Sequence, residues 1–205
     1  MTDSSGTRNS LLSRARDRDS QAWSALVDLY GPLIAHWCYR CGLDSHAAAD
    51  CVQEVFSAVA GSLDRFAPQA HSGSFRAWLW RITSNKLKDR ARAVLRQTDA
   101  LGGSTALHAL QNIPDTQQQV DEEQAAGEFT DEPTEPEQLR DLISRAMQQV
   151  RLEFEPRSWD IFRRCVIDEL PTAVVAQEFC VTPAAVRQTR SRVLRRLRQQ
   201  LGDIE

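Results

Sequence analysis

At 205 residues, 41% of them apolar and 26% charged, the chain is long enough for one or two small domains and has the composition of a soluble helical protein. It holds no run of eighteen apolar residues, and Met1 to Gly6 lack a basic stretch followed by an apolar core, so neither a membrane span nor a secretory leader is expected. Five cysteines, an odd number without secretory features, fit reduced thiols in the cytoplasm. The net charge of -3 hides a segregation: residues 97 to 139 carry ten acids and no base, and a basic stretch lies on each side. A test by overall pI would miss nucleic-acid binding here, whereas a test by segment would not.

Residues 1–9 are polar and are expected to be disordered. From Ser10 the pattern is helical. Leu11 and Leu12 lead a short helix, and Asp19 or Ser20 caps a second carrying Trp23, Leu26, Val27 and Tyr30. Gly31-Pro32 allows a bend before Leu33 to Cys41, and Gly42 is a stop signal. Asp44 or Ser45 caps a helix from about His46 to Leu63. Its apolar side is Val52, Val55, Phe56 and Val59, and Asp50, Gln53, Glu54 and Ser57 lie on another side. Residues 67 to 74 read as a loop whose last residue, Ser74, caps a helix from Phe75 to about Arg96. Here Phe75, Trp78, Leu79 and Ile82 are apolar, and Arg76, Arg81, Lys86, Lys88, Arg90 and Arg92 make the other faces basic.

No segment alternates with period two, so residues 10–96 form an all-helical lobe. Residues 97–137, with Gly-Gly-Ser, three Gln and repeated acids, bury too little apolar surface to offset ordering and form an acidic, mostly disordered linker, with a helical turn placed at about Ala106 to Leu110. Residues 138–205 form a second small all-α lobe. Leu139, Leu142, Ile143, Ala146, Met147 and Val150 share one helix face, and Pro156 starts a further helix with Trp159, Ile161 and Phe162.

Two short helices end the chain. Pro171 and Thr172 open the first, with Val174, Val175 and Phe179 apolar, and Cys180 and Val181 leave a tight turn before Thr182 caps the second. That second helix has Pro183 at its first position, six arginines and no acid through Leu201. Val186, Val193, Leu197 and Leu201 form one stripe, with Arg187, Gln188, Ser191, Arg192 and Arg195 opposite. A tight turn feeding an arginine-rich helix is the pattern of a helix-turn-helix whose second helix enters the major groove. The plain alternative, a helical hairpin with a solvated basic face, is disfavoured by the short turn and by the small Ala184 and Ala185 at the helix start.

Three stretches together resemble the extracytoplasmic-function class of bacterial RNA polymerase sigma factors of the sigma-70 superfamily. Asp50-Cys-Val-Gln-Glu-Val-Phe56 resembles that class's Asp-Leu-Val-Gln-Glu-x-Phe helix. Phe75-Arg-Ala-Trp-Leu-Trp-Arg-Ile-x-x-Asn85 resembles its Phe-x-x-Trp-Leu-x-x-Ile-x-x-Asn, and Ala185 to Leu197 resembles its recognition helix. The resemblance implies two helical domains, region 2 at 10–96 and region 4 at 138–205. It also implies a non-enzymatic role without metal or cofactor: binding core RNA polymerase, recognising -35 and -10 promoter elements and promoting DNA melting.

On matching positions the resemblance assigns Asp50, Gln53 and Glu54 to the basic beta-prime clamp helices of the polymerase, and an acidic, amide-bearing patch suits such a partner. The beta flap is the contact implied for the second lobe. For the -10 element it implies Ser72, in the loop that captures a flipped base, with Arg76, Trp80, Ser84, Asn85, Lys88 and Arg92 along the following helix. Asn85 is placed to read a base edge, and Lys88 and Arg92 to lie on phosphates. Trp78 reads as core and Trp80 as the stacking wedge, because its side of the helix is otherwise polar. For -35 the matching positions are Thr182, Ala184, Arg187, Gln188, Ser191, Arg192 and Arg195. Many members have Ser, Arg and a large apolar residue where this chain has Gln188, Thr189 and Arg190, which bears on promoter preference and not on fold. An anti-sigma factor is a further implied partner. The acidic linker fits both a strand threading a basic polymerase channel and a solubilising tether.

His36, Cys38 and Cys41 have the spacing of zinc ligands or of a redox pair, but only three candidates are local, and the reading adopted is structural packing. The competing reading of the whole chain is a helix-turn-helix regulator that binds operator DNA without joining the polymerase, although no heptad seam for dimerisation is visible. A third is an adaptor whose first lobe only docks proteins.

Overall fold

The computed structural model describes residues 10–66, 74–98 and 133–202, and among these every regular element is a helix. Among the described residues the first lobe has α1 (Leu11–Arg16), α2 (Ser20–Arg40), α3 (Ser45–Ser62) and α4 (Phe75–Thr98), with a 3-10 turn at Leu63–Arg65 after α3. Each starts on a side-chain cap. The Ser10 hydroxyl accepts from the Ser13 N–H, Asp19 from Gln21 and Ala22, Asp44 from His46 and Ala47, and Ser74 from Ala77. Gly42, with φ of +84°, turns the chain out of α2 through the left-handed region.

Gly31-Pro32 does not divide α2. Pro32 is exposed and removes one backbone donor, whereas Leu29, Tyr30, Leu33, Ile34 and Trp37 are buried on both sides of it and hold one continuous helix against its neighbours. Helix α3 packs between α2 and α4, and Arg16 closes the base of the lobe by donating to the carbonyls of Leu63 (3.0 Å) and Phe66. Phe66, Phe75, Trp78 and Tyr30 form an aromatic cluster at the start of α4, with ring centroids 5.0 to 5.5 Å apart.

The second lobe contains α5 (Pro136–Arg151), α6 (Pro156–Val166), α7 (Thr172–Glu178) and α8 (Pro183–Leu201), with proline in the first turn of α5, α6 and α8. Helix α8 is the hub, touching α5, α6 and α7. Its stripe of Val186, Val193 and Leu197 is buried.

The two lobes share a core. Leu142, Ala146 and Val150 of α5 are buried in the same apolar cluster as Leu26, Leu29 and Leu33 of α2, so in this conformation the lobes are packed rather than held apart. Backbone acceptors on α2 reinforce the seam: Gln149 Nε2 donates to the Ala25 carbonyl (3.1 Å) and Arg145 Nε to that of Leu29 (3.3 Å). Tyr30 Oη donates to the Leu201 carbonyl (2.6 Å), and Arg40 pairs with Glu135 (2.6 Å). The linker expectation at 97–137 falls almost wholly outside the described residues, as do the helical turn near Ala106 and residues 1–9.

Candidate nucleic-acid interface

Helix α8 presents its basic side outward. Thr182, Ala184, Arg187, Gln188, Ser191, Arg192 and Arg195 are all exposed, so every position assigned to the -35 element is on the surface. The motif that holds it there is built locally. Cys180 takes a φ of +51°, the N–H of Val181 reaches the Ala176 carbonyl (2.9 Å), and Thr182 Oγ1 accepts from Ala185 (3.2 Å). Arg157 Nη2 caps the end of α7 by donating to the Phe179 carbonyl (2.5 Å). Arg164 grips both carboxylate oxygens of Glu178 and also pairs with Asp168, fixing α6 against α7.

Two arginines of α8 are committed to the lobe itself. Arg196 makes a bidentate pair with Glu153, both bonds 2.6 Å. Arg192 lies 5.5 Å from the Phe154 ring centroid and donates to Ser158 Oγ (3.3 Å), so its guanidinium is folded back over the domain. Arg187, Gln188, Ser191 and Arg195 make the more open edge of the helix. Donors that pair bidentately with guanine or adenine are therefore displayed on one helix face.

Helix α4 divides the -10 candidates differently. Asn85 and Arg92 are exposed and Lys88 and Arg76 are half-buried, and residues 85, 88 and 92 follow one another along a single side of the helix. Trp80 and Ser84 are in the interior, at 3% and 0% exposure. Trp80 packs edge-on against Trp37 of α2 at 5.2 Å, which removes it as a surface wedge in this conformation. The side of α4 that looked polar around Trp80 is covered by α2. Trp78 is core, as its spacing indicated. Ser72 and the loop 67–73 lie outside the described residues.

On α3, Asp50, Gln53, Glu54 and Ser57 are exposed together, while Ala48, Cys51, Val55 and Val59 are buried behind them. Sequence reasoning missed what stands beside this face. Arg90 of α4 pairs with Glu54 Oε1 (2.5 Å) and donates to the Ala47 carbonyl (3.2 Å), and Glu54 in turn holds the guanidinium charged by raising its pKa. The two residues are 36 apart in sequence, and no local signal pairs them.

Cys38, Cys41 and Cys51 are buried free thiols. The adjacent Cys51 thiol and burial push Cys38 up, and burial pushes Cys41 up, so Cys38 and Cys41 resist forming thiolates, while the hydrogen bond with Cys38 lowers Cys51. Among the described residues no group of three or more His, Cys, Asp or Glu side chains is placed to hold a metal ion, and no helix is long and apolar enough to cross a membrane.

The first lobe carries a family likeness. Residues 26–97, from within α2 nearly to the end of α4, match Sigma-70 region 2. The chain is 32% identical over 81 residues to the ECF RNA polymerase sigma factor SigW of Bacillus subtilis, covering 40% of this chain and 42% of that protein. It is 32% identical over 116 residues to the RNA polymerase sigma factor CnrH of Cupriavidus metallidurans, covering 54% and 59%. With the ECF RNA polymerase sigma factor SigE of Mycolicibacterium smegmatis it shares 34% over 71 residues, covering 35% and 26%. The chain spans less than two thirds of the length of each of these relatives. A region 2 match over the first lobe, with an exposed helix-turn-helix behind it, makes the chain similar to sigma factors of the extracytoplasmic-function class.

Proposed function

We propose that this protein acts in the cytoplasm as a sigma factor and not as an enzyme: it binds core RNA polymerase, directs it to promoters and helps to open them. In this reading Asp50, Gln53 and Glu54 dock on the beta-prime clamp helices, and the second lobe meets the beta flap. Asn85, Lys88 and Arg92 follow the -10 strand, and Arg187, Gln188, Ser191 and Arg195 read the -35 duplex. The observation that carries it is the pairing, on one small lobe, of an exposed acidic face on α3 with an exposed amide and basic face on α4. A lobe that only docked proteins would not need the second, and an operator-binding regulator would not need the first. The names of the relatives favour the same choice. An anti-sigma factor covering these faces belongs to this reading as its regulator.

The packed lobes must then separate. An interval of about 25 base pairs corresponds to about 85 Å of duplex, whereas a compact chain of this length has a radius of gyration of about 17 Å. Engagement of both promoter elements therefore opens the seam between α2 and α5. The deciding experiment is transcription by purified core polymerase, with and without the protein, on a promoter library. Sequence-selective initiation that depends on the protein is the expected result, and absence of both core binding and initiation would overturn the reading.

A further inference from the structure

Between α3 and α4 lies a surface cleft of about 480 Å³ lined by Asp50, Gln53, Glu54, Ser57, Lys86 and Arg90, with Ala58 at its wall. Its two sides have opposite sign. Asp50 and Glu54 are one helical turn apart on α3, and Lys86 and Arg90 are one turn apart on α4. Only one pair is closed within the lobe, Glu54 with Arg90; among the described residues Asp50 and Lys86 have no ion-pair partner. Resting on the sigma-factor reading above, we infer that this cleft is a two-sign socket. Its occupant is a helix of the core polymerase that brings a basic side chain to Asp50 and Glu54 and, about one turn along, an acidic side chain to Lys86 and Arg90.

Charge complementarity carries the argument. An acidic face alone would suit any basic helix, including the wrong ones. With Lys86 and Arg90 forming the opposite wall, a uniformly basic helix meets two cations as it enters, and a helix with alternating signs meets none of its own kind. The i, i+4 spacing on both walls matches the rise of one turn on a helical ligand, so both contacts are made by the same face of the partner. The Glu54 and Arg90 side chains are 46% and 28% exposed, and a pair in that setting is weakly held, so the partner's charges can exchange into it. Arg90 is thus a positioning residue in the free protein, holding Glu54 at the rim of the cleft, and a contact residue in the complex.

The test measures affinity of the full-length protein for purified bacterial core RNA polymerase in the absence of DNA, over a range of salt. Lys86→Glu is expected to weaken binding about tenfold or more and Lys86→Gln about threefold, with the larger loss at low salt and no change in the thermal midpoint. Asp50→Lys is expected to weaken binding similarly. If Asp50→Lys weakens binding while Lys86→Glu leaves it unchanged or tightens it, the partner surface is purely basic and the two-sign socket is wrong, although the sigma reading stands. Should the unaltered protein not bind core polymerase at all, both fall together. Lys86→Gln keeps the outcome readable if the charge reversal perturbs folding.

Discussion

Tyr30 and Leu201 stand 171 residues apart and are joined by a 2.6 Å hydrogen bond from the phenol to the last carbonyl of α8. Beside it Gly202, with φ of +69°, seats the end of α8 on the first lobe: a β-carbon there would come within 2.8 Å of Leu12 Cδ1 and 3.1 Å of Phe75 Cβ. Helix α8 of the second lobe is therefore anchored by its C-terminal end to the first.

Substitutions at this anchor are expected to loosen the seam without unfolding α4 or α8. Tyr30→Phe removes one hydrogen bond and is expected to cost about 1 kcal/mol. Gly202→Ala adds both a left-handed backbone penalty and a steric contact, for about 1 to 3 kcal/mol. Urea denaturation gives the size, and amide hydrogen exchange gives the place. Faster exchange should be confined to α1 and the last turns of α8, with α3 unchanged; loss of protection across α3 would show that the anchor is part of the global core instead.

The burial of Trp80 turns a surface-contact expectation into a stability one. Packed at 5.2 Å from Trp37 and 3% exposed, it should behave as core, so Trp80→Ala is expected to destabilise by about 3 to 5 kcal/mol. Thermal or urea unfolding decides the matter. A stable Trp80→Ala protein with impaired DNA opening would restore the wedge role.

What the sequence made legible was local. The caps at Asp19, Asp44, Ser74 and Thr182, the stripe Val186, Val193 and Leu197, and the turn at Cys180 each depend on residues of one short stretch of chain, and their spacing reveals them. Periodicity says that a face is covered without saying by what. Trp80 looked outward because its helical neighbours are polar, and the element covering it is α2, some forty residues upstream. The same limit hid the pairing of Glu54 with Arg90 and the bonds of Gln149 and Arg145 to α2 carbonyls. The fold-back of Arg192 onto Phe154 is likewise set by tertiary packing. Pro32 misled differently: its local preference for a break is outweighed by the apolar residues buried around it.

The buried Cys41 thiol gives stability a pH dependence with a definite sign. Burial holds the Cys41 pKa above that of a free thiol, so the folded state keeps its proton more tightly than the unfolded chain does, whereas the Cys38–Cys51 hydrogen bond raises one partner and lowers the other. The Cys41 contribution is complete below the unfolded thiol pKa of about 8.5 and is lost as the pH rises above it. Stability measured by urea unfolding from pH 7 to 10 is expected to fall on the alkaline side, and Cys41→Ala should flatten that fall. A slope unaffected by Cys41→Ala would assign the alkaline loss to other groups.

The two basic helices are expected to fail in different ways when a single cation is removed. Arg187 is exposed on the open edge of α8, where a guanidinium can take both acceptors of a guanine. Arg187→Ala should therefore cost roughly 1 to 3 kcal/mol on preferred -35 sequences and much less on others, relaxing preference at one base position. Lys88 lies on the side of α4 that carries Asn85 and Arg92, where an ammonium supplies a point charge to phosphate and no base pattern. Lys88→Ala should weaken promoter binding by a similar factor across sequences and lower the salt dependence of log K by about one counterion. Competition binding of the polymerase complex to a randomised promoter pool, repeated at three salt concentrations, reads both effects at once. A shift in -10 preference with Lys88→Ala, or an even loss across sequences with Arg187→Ala, would reverse the assignment of these two residues to backbone and base.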